Sequence, residues 1–383
     1  MTTKFTSTGI AFCLALASSC ISNQSLTDNI TVTQTKDRLD ISSLTDSIRI
    51  IKPSSSNPES IINRADRVLS MNDRIYIIDR ASNKLFCFDY NGNFISSTEP
   101  IIGHGRMEYI RIMDAAVDPS NSMVYICCDA PYKIIKLDAD LNALESFSFD
   151  DMFDEIAIAG DCLYAIYEGD DSFELRQYNT RDLNGKSNTI LKNNEIIHGV
   201  RSIGKSMSSD GRFCNVALPF SNKIYKVREN IIESETVIDF GSLWFDYEKS
   251  RSFGTNRFLD MNTDKAWIIM NTVVSDSLTL FTTNQTGIAS IHANGQASTT
   301  FNVINSDFPF SSSLVYPLGG VYGTAVTVAE NVHITRYKKI CKEKGIDLSD
   351  DSDKTNKWIR DYTSTDNPIL VIEYLKGRSE SNK

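Results

Sequence analysis

The feature that most constrains this chain is a repeat. The segment "DRIYIIDRASNKLFCFDYNGNF", from Asp73, and the segment "SMVYICCDAPYKIIKLDADLNAL", from Ser122, align at one offset of 49 residues. Ile75-Tyr76-Ile77 falls on Val124-Tyr125-Ile126, and Lys84-Leu85 with Asp89 falls on Lys133-Ile134 with Asp138. A constant offset across two apolar runs and their turns marks a repeated supersecondary unit. Weaker copies begin at Asp161, Gly211 and Asp264. Each shows an apolar β-rich run, a polar turn and a second run, which is a hairpin written in sequence. Preceding runs, such as Met113 to Val117 and Arg257 to Met261, add an inner strand. Four-stranded units of about 40 to 50 residues repeated around an axis are the sequence form of a β-propeller, whereas a sandwich would not require the same residues to recur at long period. The expectation is a single all-β domain over residues 46–383, a six-bladed β-propeller of four-stranded antiparallel blades.

The last unit departs from the pattern. After the strands of "SSSLVYPLGGVYGTAVTVAE", the stretch "NVHITRYKKICKEKGIDL" places Val332, Tyr337, Ile340 and Cys341 at helical spacing and stops at Gly345. A second short helix is expected over Lys354 to Tyr362, giving a helical insertion at about 331–362 inside the final blade. "NPILVIEYLKG" then returns to strand. "SIRIIKP", Ser47 to Pro53, has no repeat partner nearby, so it is expected to pair with the final blade and close the ring, removing an exposed sheet edge.

The start of the chain reads as an export signal. Lys4 precedes an apolar run from Gly9 to Ala17, and small residues lead to Cys20. That run is too short to span a bilayer comfortably. Small residues just before a cysteine resemble a bacterial lipobox, with Ala17 where Leu is usual; on that reading Cys20 is acylated and anchors the mature protein to a membrane. The alternative is a soluble periplasmic protein cut nearby. Residues 1–20 are thus assigned to the signal and residues 21–45, poor in large apolar side chains, to a tether. Beyond Cys20 stand Cys87, Cys127, Cys128, Cys162, Cys214 and Cys341, without CxxC pairs, and they are expected to be buried free thiols. Adjacent Cys127 and Cys128 would point to opposite faces of a strand, which disfavours a shared metal or a mutual disulfide.

The net charge of −10 and the lack of a concentrated basic face exclude a nucleic-acid partner. The four histidines, His104, His198, His292 and His333, occur singly, so neither HExxH nor another zinc motif is present, and neither a metal nor a cofactor is expected. GxSxG and Walker loops are missing, and "GHGRME" lacks the third glycine of a dinucleotide fingerprint. "DADLNALESFSF", from Asp138, opens like a calcium loop but carries Ala143 and Phe149 where a glycine and a bidentate Glu are needed; its match to Asp89 makes it a turn.

Several of these residues also resemble a known family. "IRIIKP", the Asp73 unit, "GHGRMEYIRIMDAAVD" and "NPILVIEYLK" are similar to the six-bladed β-propeller lipoproteins of Bacteroidetes, over about Ser47 to Lys376. Gly103, Gly105, Glu108 and Tyr109 match a family segment of the form GxGxxEY, while Met107 stands near where Pro or Gly is common. The resemblance implies a cell-envelope protein, often associated with polysaccharide-use gene clusters, and it implies no established catalytic residues.

Two groups of candidate ligand-binding residues follow. Gly103 to Tyr109 is either a blade-to-blade corner, with Arg106 and Glu108 paired and Tyr109 packed, or a binding rim presenting His104, Arg106, Glu108 and Tyr109. Asp114, Arg201, Arg257 and Asp260 are candidates on innermost strands at the central channel, where the alternative is mutual ion pairing about the axis. The reading these observations favour is a lipid-anchored, non-catalytic binding or scaffold module for a glycan, a peptide or an envelope protein. An enzyme acting on sugars or lactones through the channel is the rival, and a purely structural envelope subunit is the third reading.

Overall fold

The computed structural model describes residues 26–200, 204–285, 287–308, 315–349 and 354–378. Six sheets form the ring, each with its innermost strand at the axis. Blades 1 to 3 are successive four-stranded meanders whose innermost strands are Arg67–Met71, Arg111–Asp118 and Glu155–Ala159. Blades 4 and 5 begin with Met207–Ser209 and Ile269–Val274. Blade 6 comprises Tyr316–Pro317, Thr324–Ala329, Ile369–Leu375 and, outermost, Thr45–Ile51. That last strand pairs antiparallel with Ile369–Leu375, Ile50 opposite Val371, so the ring closes as the isolated "SIRIIKP" predicts.

The near-continuous apolar runs follow from burial on both faces of each blade. Tyr76 and Ile78 pack with Val117, Ile126 and Cys128 of blade 2, whereas Ile75 and Ile77 on the same strand pack with Val326 and Ile372 of blade 6. Each fully buried Ile or Phe contributes roughly 1.5–3 kcal/mol of transfer free energy. Cys127 and Cys128 divide in the same way, one facing blade 3 and the other blade 1. All six cysteines after Cys20 are buried free thiols. The 49-residue repeat appears as two turns with the same hydrogen-bond pattern. Asp89 accepts from Asn91 N, Asn93 N and Asn93 Nδ2 at 2.7–2.8 Å. Asp138 accepts from Asp140 N, Asn142 N and Asn142 Nδ2, each at 2.9 Å. The carboxylate is thereby spent on its own turn, as the turn reading requires.

In blade 6, α3 (Asn331–Lys344) is capped by Gly345 in the left-handed conformation, and α4 (Lys354–Asp361) follows. Ile334 of α3 and Ile359 of α4 bury against Ile369 and Val371.

Two expectations are corrected. The segment expected to be a tether, residues 21–45, is described from residue 26 onward, and that part is not a simple tether: Leu26–Thr31 adds a parallel fifth strand to blade 4, Thr33–Gln34 adds one to blade 5, and Leu39–Asp40 pairs with Val303–Ile304. The few apolar residues there are the ones the core needs, since Val32 packs between blades 4 and 5 and Ile41 and Leu44 between blades 5 and 6. The run Arg257 to Met261 is not an inner strand. It lies in α2 (Thr255–Met261), which follows α1 (Tyr247–Ser250) in the excursion between blades 4 and 5; only Phe258 of that helix is buried, which is helical and not strand-like patterning.

Candidate functional site: a blind cup on the ring axis

The innermost strands all start on one face of the ring, called the top here, and residues at or beside the starts of those of blades 1 to 4 and 6 line a cup of about 570 Å³. Blade 1 supplies Arg64, Asp66 and Arg80, blade 3 Asp154, Glu155 and Glu168, blade 4 Lys205 and Ser206, and blade 6 Tyr316 and Glu330. The volume lies within the about 300–1,000 Å³ usual for small-molecule sites. A shallower groove of about 310 Å³ runs outward over blade 2, sharing Arg80 and Met113 with the cup and adding Arg111 and Asp129, which form an ion pair.

The floor is a network of four charges from four blades. Asp114 is fully buried, and its carboxylate accepts from Arg67 Nη1, from Lys205 Nζ at 3.0 Å and from Ile156 N at 2.9 Å. Glu155 accepts from Ser206 N and Met207 N at 2.9–3.2 Å. Lys205 is further fixed through its backbone: its N–H donates to Asn271 Oδ1 at 2.9 Å, and its carbonyl accepts from Asn271 N at 2.7 Å. Burial works against the Asp114 carboxylate, but Arg67 and Lys205 outweigh it and hold its pKa below the ordinary value. Burial, with the Asp114 charge added, pushes the Glu155 carboxyl up. Burial, with Arg67 adding to it, pulls the Lys205 amine down.

Beneath the floor the axis is sealed by "PLGGVYG". Ser70 N donates to Gly319 O at 2.7 Å, and Gly320 N donates to Ser209 O at 2.8 Å, so this loop bridges the inner strands of blades 1 and 4 across the ring. It can pass only without side chains: a Cβ on Gly320, whose φ is +88°, would stand 2.3 Å from Ser70 O and 2.5 Å from Val117 Cγ2. The cup is therefore blind and opens on the top face alone.

Of the residues singled out from sequence, Asp114 is in this network, as the ion-pairing alternative describes. Arg201 lies outside the described residues. Arg257 and Asp260 sit on α2; the Arg257 guanidinium stacks on Phe253 at 4.4 Å, and Asp260 is exposed. His104 and Arg106 are exposed on the blade 1 to blade 2 connection and do not line the cup. Tyr109 is buried: its hydroxyl donates to Asn83 O at 2.7 Å and meets Thr98 Oγ1 at 2.5 Å. Glu108 accepts from Gly105 N at 2.7 Å, in place of the expected pairing with Arg106. Lys133 Nζ donates to the carbonyls of Gly105, Arg106 and Glu108. That is the geometry of a corner. The residues that sequence reasoning missed are Arg67, Glu155 and Lys205; the first two carried a signal, a charge opening an otherwise buried inner strand.

A family model described as a domain of unknown function (DUF4934) matches residues 27–373. The chain belongs to this family. The matched range takes in the outer strands from Thr27 onward as well as the repeated blades. Among solved structures, a protein of Bacteroides fragilis whose description proposes it to be exported aligns at a TM-score of 0.68 and 14% identity, over 91% of this chain and 99% of its own. That likeness fixes the fold. BamB of Moraxella catarrhalis aligns at a TM-score of 0.39 and 12% identity, over 70% of this chain and 74% of its own. Among curated proteins no significant match is found.

Proposed function

We propose that this protein is an exported binding module of the cell envelope, held to a membrane through an acylated Cys20, whose axial cup takes a polar ligand. The observation that carries the reading is the blind cup, a polar recess open at the top and walled by charges of both signs, with guanidinium groups at its edge. A glycan fits it best, because hydroxyl groups can exchange hydrogen bonds with carboxylates and guanidinium groups alike. A short peptide or a segment of an envelope protein would use the same groups. The description of the Bacteroides fragilis relative as a proposed exported protein supports the compartment, as does the signal-like start of this chain. Neither a metal nor a cofactor enters the proposal, and among the described residues no group of three or more His, Cys, Asp or Glu is placed to hold a metal ion.

One observation favours the rival enzyme reading, a hydrolase or lyase of sugars or lactones. Glu155, with its carboxyl pushed up, and Lys205, with its amine pulled down, both border the cup, and opposed acid and base shifts are what proton transfer uses. An unbiased glycan and metabolite binding screen on the chain from Ile21, followed by product analysis of each hit, separates the two. Saturable binding with the ligand recovered unchanged supports the module; turnover lost in Glu155→Gln supports the enzyme.

A further inference from the structure

We infer that the anchored molecule places the bottom edge of blades 4 and 5 toward the lipid surface and opens its cup away from it. The inference rests on acylation at Cys20 and deepens that part of the proposal. Were residues 21–45 a free tether, about 25 residues of chain could reach about 85 Å and the ring could take any attitude. The outer strands remove that freedom. Leu26–Thr31 is bonded along blade 4, Leu26 opposite Ser234 and Thr31 opposite Asp239, and Val32, Ile41 and Leu44 are buried between blades. Five residues, or six Cα-to-Cα steps, then separate Cys20 from Leu26 at the start of the first fixed strand, a reach of at most about 20 Å.

The direction of that strand supplies the rest. The innermost strand of each blade runs from top to bottom, so the fourth strand, Ile231–Asp239 in blade 4, runs from bottom to top. Leu26–Thr31 is parallel to it and also climbs, so the chain enters from the bottom side. Leu26 is level with Ser234, three residues above the lower end of that strand, or about 10 Å. The five-residue link covers that distance with about 10 Å to spare. Lipid at the top would require the chain to reverse at Leu26 and climb five residues, about 17 Å, to Asp239. It would then have to clear the excursion carrying α1 and α2, each helix about 10 Å thick. The link is too short for both.

The test uses the acylated full chain on vesicles of phosphatidylcholine and phosphatidylethanolamine doped with a head-group spin-labelled lipid. Because the cysteines after Cys20 are buried, a single introduced thiol takes the fluorophore. Ala293→Cys marks the bottom turn of blade 5, and Asp260→Cys marks α2 on the top at the same side of the ring; both positions are exposed. Quenching severalfold stronger at position 293 than at 260 is the expected result. Equal quenching, meaning a ring standing on its edge, or stronger quenching at 260 overturns the orientation. If the protein does not associate with the vesicles, or if Cys20→Ala associates equally well, the anchor itself is refuted and the orientation with it.

Discussion

The floor of the cup and the Gly103 to Tyr109 corner are both dense in polar side chains, yet they are satisfied in opposite ways. At the corner, Glu108 is bonded to Gly105 three residues away, the Tyr109 hydroxyl to the neighbouring Thr98 and Asn83, and only Lys133 arrives from the next repeated hairpin. At the floor, Asp114 is bonded to Arg67 and Lys205, 47 and 91 residues distant, so three blades must be in place before its charge is paired. A cluster that is compact in sequence is therefore completed by its own loop and the two hairpins that flank it, while the cluster that borders a cavity draws its partners from blades as far as 91 residues away.

That contrast can be broken by mutation. The largest effect is expected from Asp114→Ala, which leaves Arg67 and Lys205 buried without their counter-charge. Denaturant unfolding should show a loss of about 3–5 kcal/mol; a loss below 1 kcal/mol would mean the floor is no more than a surface-like pairing. A buried acid remote from both regions sharpens the comparison, because it has polar partners but lacks a cation among them. Glu373 accepts from Asn305 Nδ2 at 2.6 Å and Thr327 Oγ1 at 3.3 Å, and burial, with Asp307 adding to it, pushes its carboxyl up to about 8. Since the folded-state value is raised, stability is full below the ordinary glutamic acid range and is lost as the pH rises toward and through about 8. Glu373→Gln should flatten this decline and melt higher than the parent at pH 9. Equal melting curves across pH 5–9 would refute the assignment.

Smaller effects should separate the seal from the corner. Gly320→Ala forces a Cβ against Ser70 O at a positive φ, for a loss of about 1–3 kcal/mol; an unchanged melting temperature would show that the loop can move aside. Tyr109→Phe deletes one buried hydroxyl and should cost about 1–2 kcal/mol while leaving ligand affinity unaltered. A shift in affinity without a shift in stability would return the corner to the status of a binding rim.

Much of the architecture was legible because it is repetitive. The 49-residue offset exposes blades 1 and 2, the unpaired Ser47 to Pro53 strand exposes the closure, and Gly345 exposes the end of α3. The outer strands were not legible, for a physical reason: Leu26–Thr31 is paired to residues more than 200 positions away, and its few apolar side chains carry neither a helical nor a strand period. "NRFLDM" reads either way over so short a span, and the single buried Phe258 decides for helix only in three dimensions. Asp114 could be picked out as a charge in an apolar strand, but its partners Arg67 and Lys205 belong to other blades and could be matched only by the ring.

The central claim is that ligand capture belongs to the cup and not to the corner. Equilibrium titration of the best glycan from the screen decides it, comparing Arg80→Ala at the cup edge with the double variant His104→Ala, Arg106→Ala at the corner. The account predicts at least about tenfold weaker binding, ~1.4 kcal/mol, for Arg80→Ala and parental affinity for the corner variant. Parental affinity for Arg80→Ala together with lost binding at the corner would contradict it.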